Sequence, residues 1–258
     1  MVLGRPPDRG PGDLVDPTKA SSVHRMEPAA AIAVFEQEAA AFADLLDVAT
    51  METPVPSCPG WTVAHLARHL GSVHRWAREA ILVGPAPEPP GPDDPDQIEP
   101  WFREGAAELA ATLRGCDPDQ PCWTFGEPKS ARFWLRRQTH ETAMHCWDAS
   151  TSLGVARDFD EALADDGIDE VVSMFVPRQV RLGRLARGPE VLELVSSSGL
   201  RTVLATETPQ ASPTSSITGP AEVLLLLLWR RTTLRDPRLT VVGSILDAER
   251  LLARPLTP

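Results

Sequence analysis

Glu141 and His145 stand four residues apart in the stretch Glu141-Thr142-Ala143-Met144-His145. In a helix that spacing puts both on one face, one turn above the other. Trp134, Gln138 and Asp148 share roughly that face. A carboxylate and an imidazole on the inner face of a helical bundle are costly to bury without a partner. A divalent metal ion removes the cost, and bundle cores commonly house such ions. Two side chains are too few for a tight site, so a third ligand is needed. An upstream helical stretch offers His65, His69 and His74. His65 and His69 share a face, and His69 sits among the apolar positions Leu66, Leu70 and Val73. Two histidines and one carboxylate leave a fourth position open, as in catalytic zinc sites. Nickel, iron and cobalt accept the same ligands. On spacing alone, Glu141–His145 also reads as an ordinary intrahelical pair worth about 0.2–0.5 kcal/mol.

The elements that must position these residues follow from periodicity. Ile32, Phe35, Ala39, Phe42 and Leu46 recur at three- and four-residue spacing and predict a helix over residues 27–49. Pro54, Pro56 and Pro59 force an extended loop. Thr62 then caps a second helix running to about Val83. A proline-rich stretch, Pro85 to Pro95, separates it from a third helix over residues 98–114. A fourth spans about 130–153 and carries the Glu-His pair. A fifth covers about 159–175 and is interrupted at Pro177. After Gly188 the pattern changes: strands over residues 191–195, 200–205, 215–218 and 239–242, with helices over 221–232 and 244–252. The expected fold class is α+β, an N-terminal helical bundle (residues 26–187) followed by a small α+β domain (188–258). Residues 1–25, rich in Pro, Gly, Asp and Arg, read as a disordered extension, or as an over-long start with Met26 the true beginning.

Composition narrows the function classes. At 42% hydrophobic and 24% charged, the chain has a globular make-up. Its longest apolar run, Val223 to Trp229, falls far short of the roughly 18–20 residues of a spanning helix, and no secretory signal is visible. The net charge of −11 argues against a general affinity for nucleic acid. The four cysteines, Cys58, Cys116, Cys122 and Cys146, form no Cys-x-x-Cys pair and no disulfide framework. They read as reduced thiols in a cytoplasmic protein, small and buried. Arg178, Arg181, Arg184 and Arg187 recur every three residues, a solvated or interdomain face, or else a patch that attracts substrate. There is no glycine-rich phosphate loop and no Gly-x-Ser-x-Gly elbow.

Two longer motifs carry a resemblance. Pro54-Val-Pro-Ser-Cys-Pro-Gly-Trp-Thr-Val-Ala-His-Leu-Ala-Arg-His69-Leu-Gly, followed by His74-Arg-Trp76, resembles the opening of the mycothiol-dependent maleylpyruvate isomerase family. Arg137-Gln-Thr-His-Glu141-Thr-Ala-Met-His145-Cys-Trp147-Asp148-Ala149 is similar to that family's second motif. The resemblance implies a DinB-like four-helix bundle whose metal ligands are His69, Glu141 and His145, favouring His69 over His65. Asp148, one turn past His145, reads either as an acceptor orienting a ligand imidazole or as a helix-surface or capping acid. The C-terminal part is similar to the family's sterol-carrier-like domain. There Arg231 matches an arginine that assists the thiol cofactor or a substrate carboxylate, while Arg230 replaces a glycine and Ser244 an aspartate.

The implied chemistry uses a divalent metal, zinc in the first instance, and mycothiol as a thiol nucleophile supplied from outside the protein. Arg231 is the expected catalytic and cofactor-binding residue, with Arg178 and Arg181 behind it for substrate carboxylates. Three functions compete: an isomerase acting on maleylpyruvate or a related compound, a mycothiol S-transferase acting on electrophiles, and a non-catalytic metal- or ligand-binding module. The expected partners are small molecules, with neither nucleic acid nor membrane.

Overall fold

In a computed structural model, residues 26–207 and 212–258 are described; the extension expected over residues 1–25 lies outside them. α1 (Pro28–Val48) opens with proline in its first turn, where a missing amide costs nothing. Its buried stripe is Ala31, Phe35, Ala39, Phe42 and Leu46. The proline-rich loop then folds back on itself. The Val55 amide donates to the Trp61 carbonyl, and the Val63 amide to that of Thr53, both at 2.9 Å. α2 (Val63–Leu82) is capped at Thr62, whose backbone amide donates to His65 Nδ1 at 3.2 Å. His65 is thereby spent on the helix start.

α3 (Ile98–Gly115) follows a short 3-10 turn, Pro95–Gln97. It approaches α2 closely at Gly71, where a Cβ would lie 2.3 Å from the Trp101 ring. Arg75 covers the same ring, 4.1 Å from its centroid. α4 (Ala131–Ser152) packs against α1 and α2 and is buried along most of its length, with Arg137, Gln138, His140, His145 and Asp148 among the polar groups it takes inside. Such groups require partners, and those partners define the site below.

The fifth helix departs from expectation. α5 (Glu161–Glu170), capped by Asp160, passes through a π turn at Val171–Phe175 into α6 (Val176–Arg181). Pro177 was expected to interrupt the helix; instead it sits in the first turn of α6. The wider π turn shifts the hydrogen-bond register just where the proline lacks its donor. A four-stranded sheet follows, β1 (Val191–Ser196), β2 (Arg201–Ala205), β3 (Ser215–Gly219) and β4 (Thr240–Gly243), in the order β2-β1-β3-β4. β1 pairs antiparallel with β2 and parallel with β3, and β3 antiparallel with β4. Leu192 faces Leu204 across one pairing and Leu194 faces Ile217 across the other.

α7 (Ala221–Leu228) and α8 (Ile245–Leu252) pack on β1 and β3. α7 also packs on α5, so Ala164, Ile168, Val171 and Phe175 share one core with Leu224, Leu225 and Leu228. α7 ends four residues before the expected Thr232. Arg230 adopts φ 58°, the left-handed conformation that terminates helices and suits glycine. The fold is α+β, as expected; α5 and the π turn share their core with the sheet and α7, while the helices before them form the rest of the bundle. No helix among the described residues is long and apolar enough to cross a membrane.

Candidate metal centre

α2 presents His69 and α4 presents Glu141 and His145 to one point. Glu141 Oε1 lies 3.1 Å from His69 Nε2 and 3.3 Å from His145 Nε2. The two imidazole rings stand nearly perpendicular, at 89°. The three ligand atoms all fall within 4.8 Å of one another. Trp61, delivered by the folded proline loop, lies against both rings, with centroids 5.1 Å from His69 and 6.5 Å from His145.

Each candidate ligand from α4 has its other polar atom tied down. Glu141 Oε2 accepts from Arg137 Nη2 at 2.6 Å, and Arg137 pairs in turn with Glu170, buried at the end of α5. Oε1 is left facing the histidines. His145 Nδ1 lies 3.0 Å from Asp148 Oδ2, which keeps a proton on Nδ1 and makes Nε2 the nitrogen that would give up its proton to a metal ion. Burial disfavours the charged form of Glu141, but Arg137 and the bonds to His145 and His69 outweigh it and hold the carboxyl well below its usual range. Burial likewise works against a charged His145; its bonds to Asp148, Cys58 and Glu141 prevail and raise it well above the usual imidazole value.

Asp148 is fully buried and receives Arg231, from the segment after α7, in a bidentate pair: Nε to Oδ1 at 3.0 Å and Nη2 to Oδ2 at 2.8 Å. Arg231 Nη1 donates to the Trp229 carbonyl at 2.8 Å and Nη2 reaches Cys58 Sγ at 3.5 Å. Cys58, His145 and Asp148 also cluster as metal-type ligands. The guanidinium already supplies the positive charge there, so that cluster is not a second cation site. His69, Glu141 and His145 pass the chemical test for a divalent ion: two imidazole nitrogens and one carboxylate oxygen, those of α4 oriented by outer partners, on the wall of a cavity.

That wall belongs to a cavity of about 660 Å³, lined by the three candidate ligands together with Cys58, Trp61, Trp229, Arg230, Arg231 and the chain end at Thr257 and Pro258. Arg178 and Arg181 do not line it; they border a different cavity. His74, by contrast, is a core residue, bonded to Thr142 and packed between Phe35 and Phe102. Sequence reasoning missed Cys58 as part of the cavity wall and Arg137 as the partner of Glu141. Arg137 lies four residues before Glu141, a spacing that could have disclosed it.

Residues 33–150 match the family described as mycothiol maleylpyruvate isomerase N-terminal domain, and residues 162–249 match its C-terminal domain. No curated protein matches the chain. Among solved structures, the mycothiol-dependent maleylpyruvate isomerase and a histidine-to-alanine mutant of it are similar, each with a TM-score of 0.64 and 15% identity, covering 86% of this chain and 96% of theirs. At that identity the likeness concerns the fold.

Proposed function

The chain belongs to the mycothiol-dependent maleylpyruvate isomerase family, and from that premise we propose that it is a metal- and mycothiol-dependent enzyme working in the cavity beneath Trp61. The observation that carries the reading is the convergence of His69 Nε2, Glu141 Oε1 and His145 Nε2 on one point of that cavity. These three residues would hold the metal, with zinc the best fit to the set. A divalent ion bound there supplies a positive centre that favours the thiolate of a coordinated thiol at neutral pH.

The chain's own residues do the positioning. Arg137 fixes the Glu141 carboxylate, and Asp148 fixes the tautomer and plane of His145. Trp61 walls the two imidazoles against water on one side. Arg231 anchors Asp148 with three of its N–H donors committed to Asp148 and the Trp229 carbonyl and a fourth to Cys58. One of the five guanidinium N–H groups remains for a thiol cofactor or a substrate carboxylate. Arg230, at the rim of the same cavity, adds a second cation. We take the substrate to be a small electrophile carrying a carboxylate, maleylpyruvate or a relative.

An S-transferase would use the same site, retaining the thiol in its product where an isomerase returns it. Metal analysis of the purified protein and of His145→Ala tests the site: stoichiometric metal in the wild type, lost in the variant, is expected. Full metal content in His145→Ala would refute the ligand assignment. Incubating the metal-loaded protein with mycothiol and maleylpyruvate, or with a generic electrophile, then separates the activities. A trans product with mycothiol unconsumed supports the isomerase, and a stable thiol adduct supports the transferase.

A further inference from the structure

A second cavity, of about 450 Å³, is lined in part by Ser173 and Met174 of the π turn and shares no lining residue with the metal cavity. Its wall carries Lys129, Arg136, Arg178 and Arg181, against the single carboxylate of Glu127. Arg136 is neutralised by Asp166 and Asp169, at 3.0 and 2.9 Å. The others are not. Arg178 and Arg181 have no carboxylate within 4 Å among the described residues, and Lys129 has only the exposed Glu127 at 3.7 Å.

Two of these cations, Arg178 and Lys129, are nevertheless held in place. The Arg178 guanidinium lies over the Phe125 ring, 4.9 Å from its centroid, and Phe125 is itself stacked on Trp76. Lys129 Nζ donates to the Thr124 carbonyl at 3.1 Å. A ring face and a carbonyl orient a cation without cancelling its charge. Arg181 follows Arg178 by three residues on α6, so both project to one side. Burial, and then the repulsion of Arg184 and Arg181, lower the Arg178 pKa, as fits a positive site with no counter-charge. This is unusual for a chain of net charge −11. The most deeply placed arginines, Arg136, Arg137 and Arg231, are each paired with acids, whereas Arg178 is half-buried and Arg181 exposed.

We propose that this cavity is a binding site for a small dianion, a phosphate monoester or a dicarboxylate, held by Arg178 and Arg181 with Lys129. A planar guanidinium pre-oriented on a ring matches either group through paired N–H donors. Phe125 and Met174, in the same wall, offer apolar surface to the rest of such a molecule.

The test is calorimetric titration of the full-length, metal-loaded protein with inorganic phosphate and, separately, with succinate, against chloride at equal ionic strength. Wild type and Arg230→Gln are expected to bind at least one of the two. Arg178→Gln/Arg181→Gln is expected to weaken that binding about tenfold or more, the effect of losing charged hydrogen bonds. Tighter phosphate binding identifies a phosphate ligand, and tighter succinate binding a dicarboxylate. No binding beyond the chloride control overturns the proposal. So does a titration in which the double variant loses no binding component, or in which the component it loses is also abolished by Arg230→Gln, since the anion would then sit in the metal cavity. The single variants Arg178→Gln and Arg181→Gln, each checked for a wild-type melting curve, carry the test if the double variant does not fold.

Discussion

Arg231 and Asp148 offer the sharpest test of how the site is held. Asp148 is wholly buried and accepts from Arg231 Nε, Arg231 Nη2 and His145 Nδ1. Asp148→Asn keeps the shape but turns one acceptor oxygen into a donor, which must then face either the guanidinium or the imidazole N–H. Removing one member of a buried ion pair costs about 3–5 kcal/mol, because the other is left charged and unpaired. For a chain of this size each kcal/mol lowers Tm by roughly 2–4 °C, so a fall of about 10 °C is expected. Arg231→Met should cost a similar amount, since it strands the carboxylate. The double variant Asp148→Asn/Arg231→Met leaves no uncompensated charge and should recover part of the loss. The cycle should give a coupling energy of about 1–3 kcal/mol. Metal affinity, read by competition with a chromophoric chelator, should fall about 10–100-fold in Asp148→Asn, the usual effect of removing the acceptor behind a ligand histidine. Urea unfolding of the four proteins at one pH measures the cycle. Additive single losses, or an unchanged metal affinity in Asp148→Asn, would refute the view that Arg231 acts through Asp148 on His145.

Three further outcomes are expected. His74 is buried among Phe35 and Phe102, and burial lowers its pKa from 6.5 to about 3. The unfolded chain therefore binds up to one more proton between pH 6.5 and 3, and stability falls as pH drops through that window with a limiting slope of about 1.4 kcal/mol per pH unit. His74→Gln, which keeps a donor near Thr142, should make urea midpoints measured across that window less dependent on pH; an unchanged dependence would show that His74 does not contribute. Gly71→Ala puts a Cβ 2.3 Å from the Trp101 ring and should cost about 1–3 kcal/mol by overpacking, seen as a lower urea midpoint at constant m. Cys58→Ser should keep metal content and remain within about twofold of wild-type thiol-dependent activity, because the attacking sulfur is external; a loss of more than tenfold would make Cys58 itself a candidate nucleophile.

The sequence disclosed those parts of the site that local geometry dictates. Glu141 and His145 are neighbours in any helix, and the apolar spacing around His69 turns it inward. His65, one turn earlier, is the residue whose true role was less visible, because its Nδ1 is taken by the Thr62 amide at the helix cap. What remained hidden depends on contacts between distant segments. Cys58 enters the cavity only because the proline loop closes through Val55 and Trp61. Glu170 reaches Arg137 only because α5 lies along α4. Pro177 reads as a breaker from its ring alone; the π turn that accommodates it has no simple signature in residue type. Arg230 is the converse case. The family resemblance places a glycine there, and the structure supplies the reason, a left-handed backbone at φ 58°.

The ion pairs around the centre are better understood as orienting devices than as sources of stability. Taking Arg137, Glu170, Asp148 and Arg231 out of water costs several kcal/mol each, and their mutual attraction does little more than offset that. A well-packed apolar set would hold the same helices together as firmly. What an apolar set would not do is fix which oxygen of Glu141 and which nitrogen of His145 face the cavity. Arg137 does the first and Asp148 the second, and each is anchored by a residue from beyond α4: Glu170 just before the π turn, Arg231 just after α7. The bundle thus supplies the candidate ligands while the later segments set their orientation. The candidate ligand His145 on α4 is three steps from the end of α7: His145 to Asp148, Asp148 to Arg231, Arg231 to the turn that ends α7. Substitutions in that turn should therefore lower metal affinity as well as stability, although none of its residues is among the three candidate ligands.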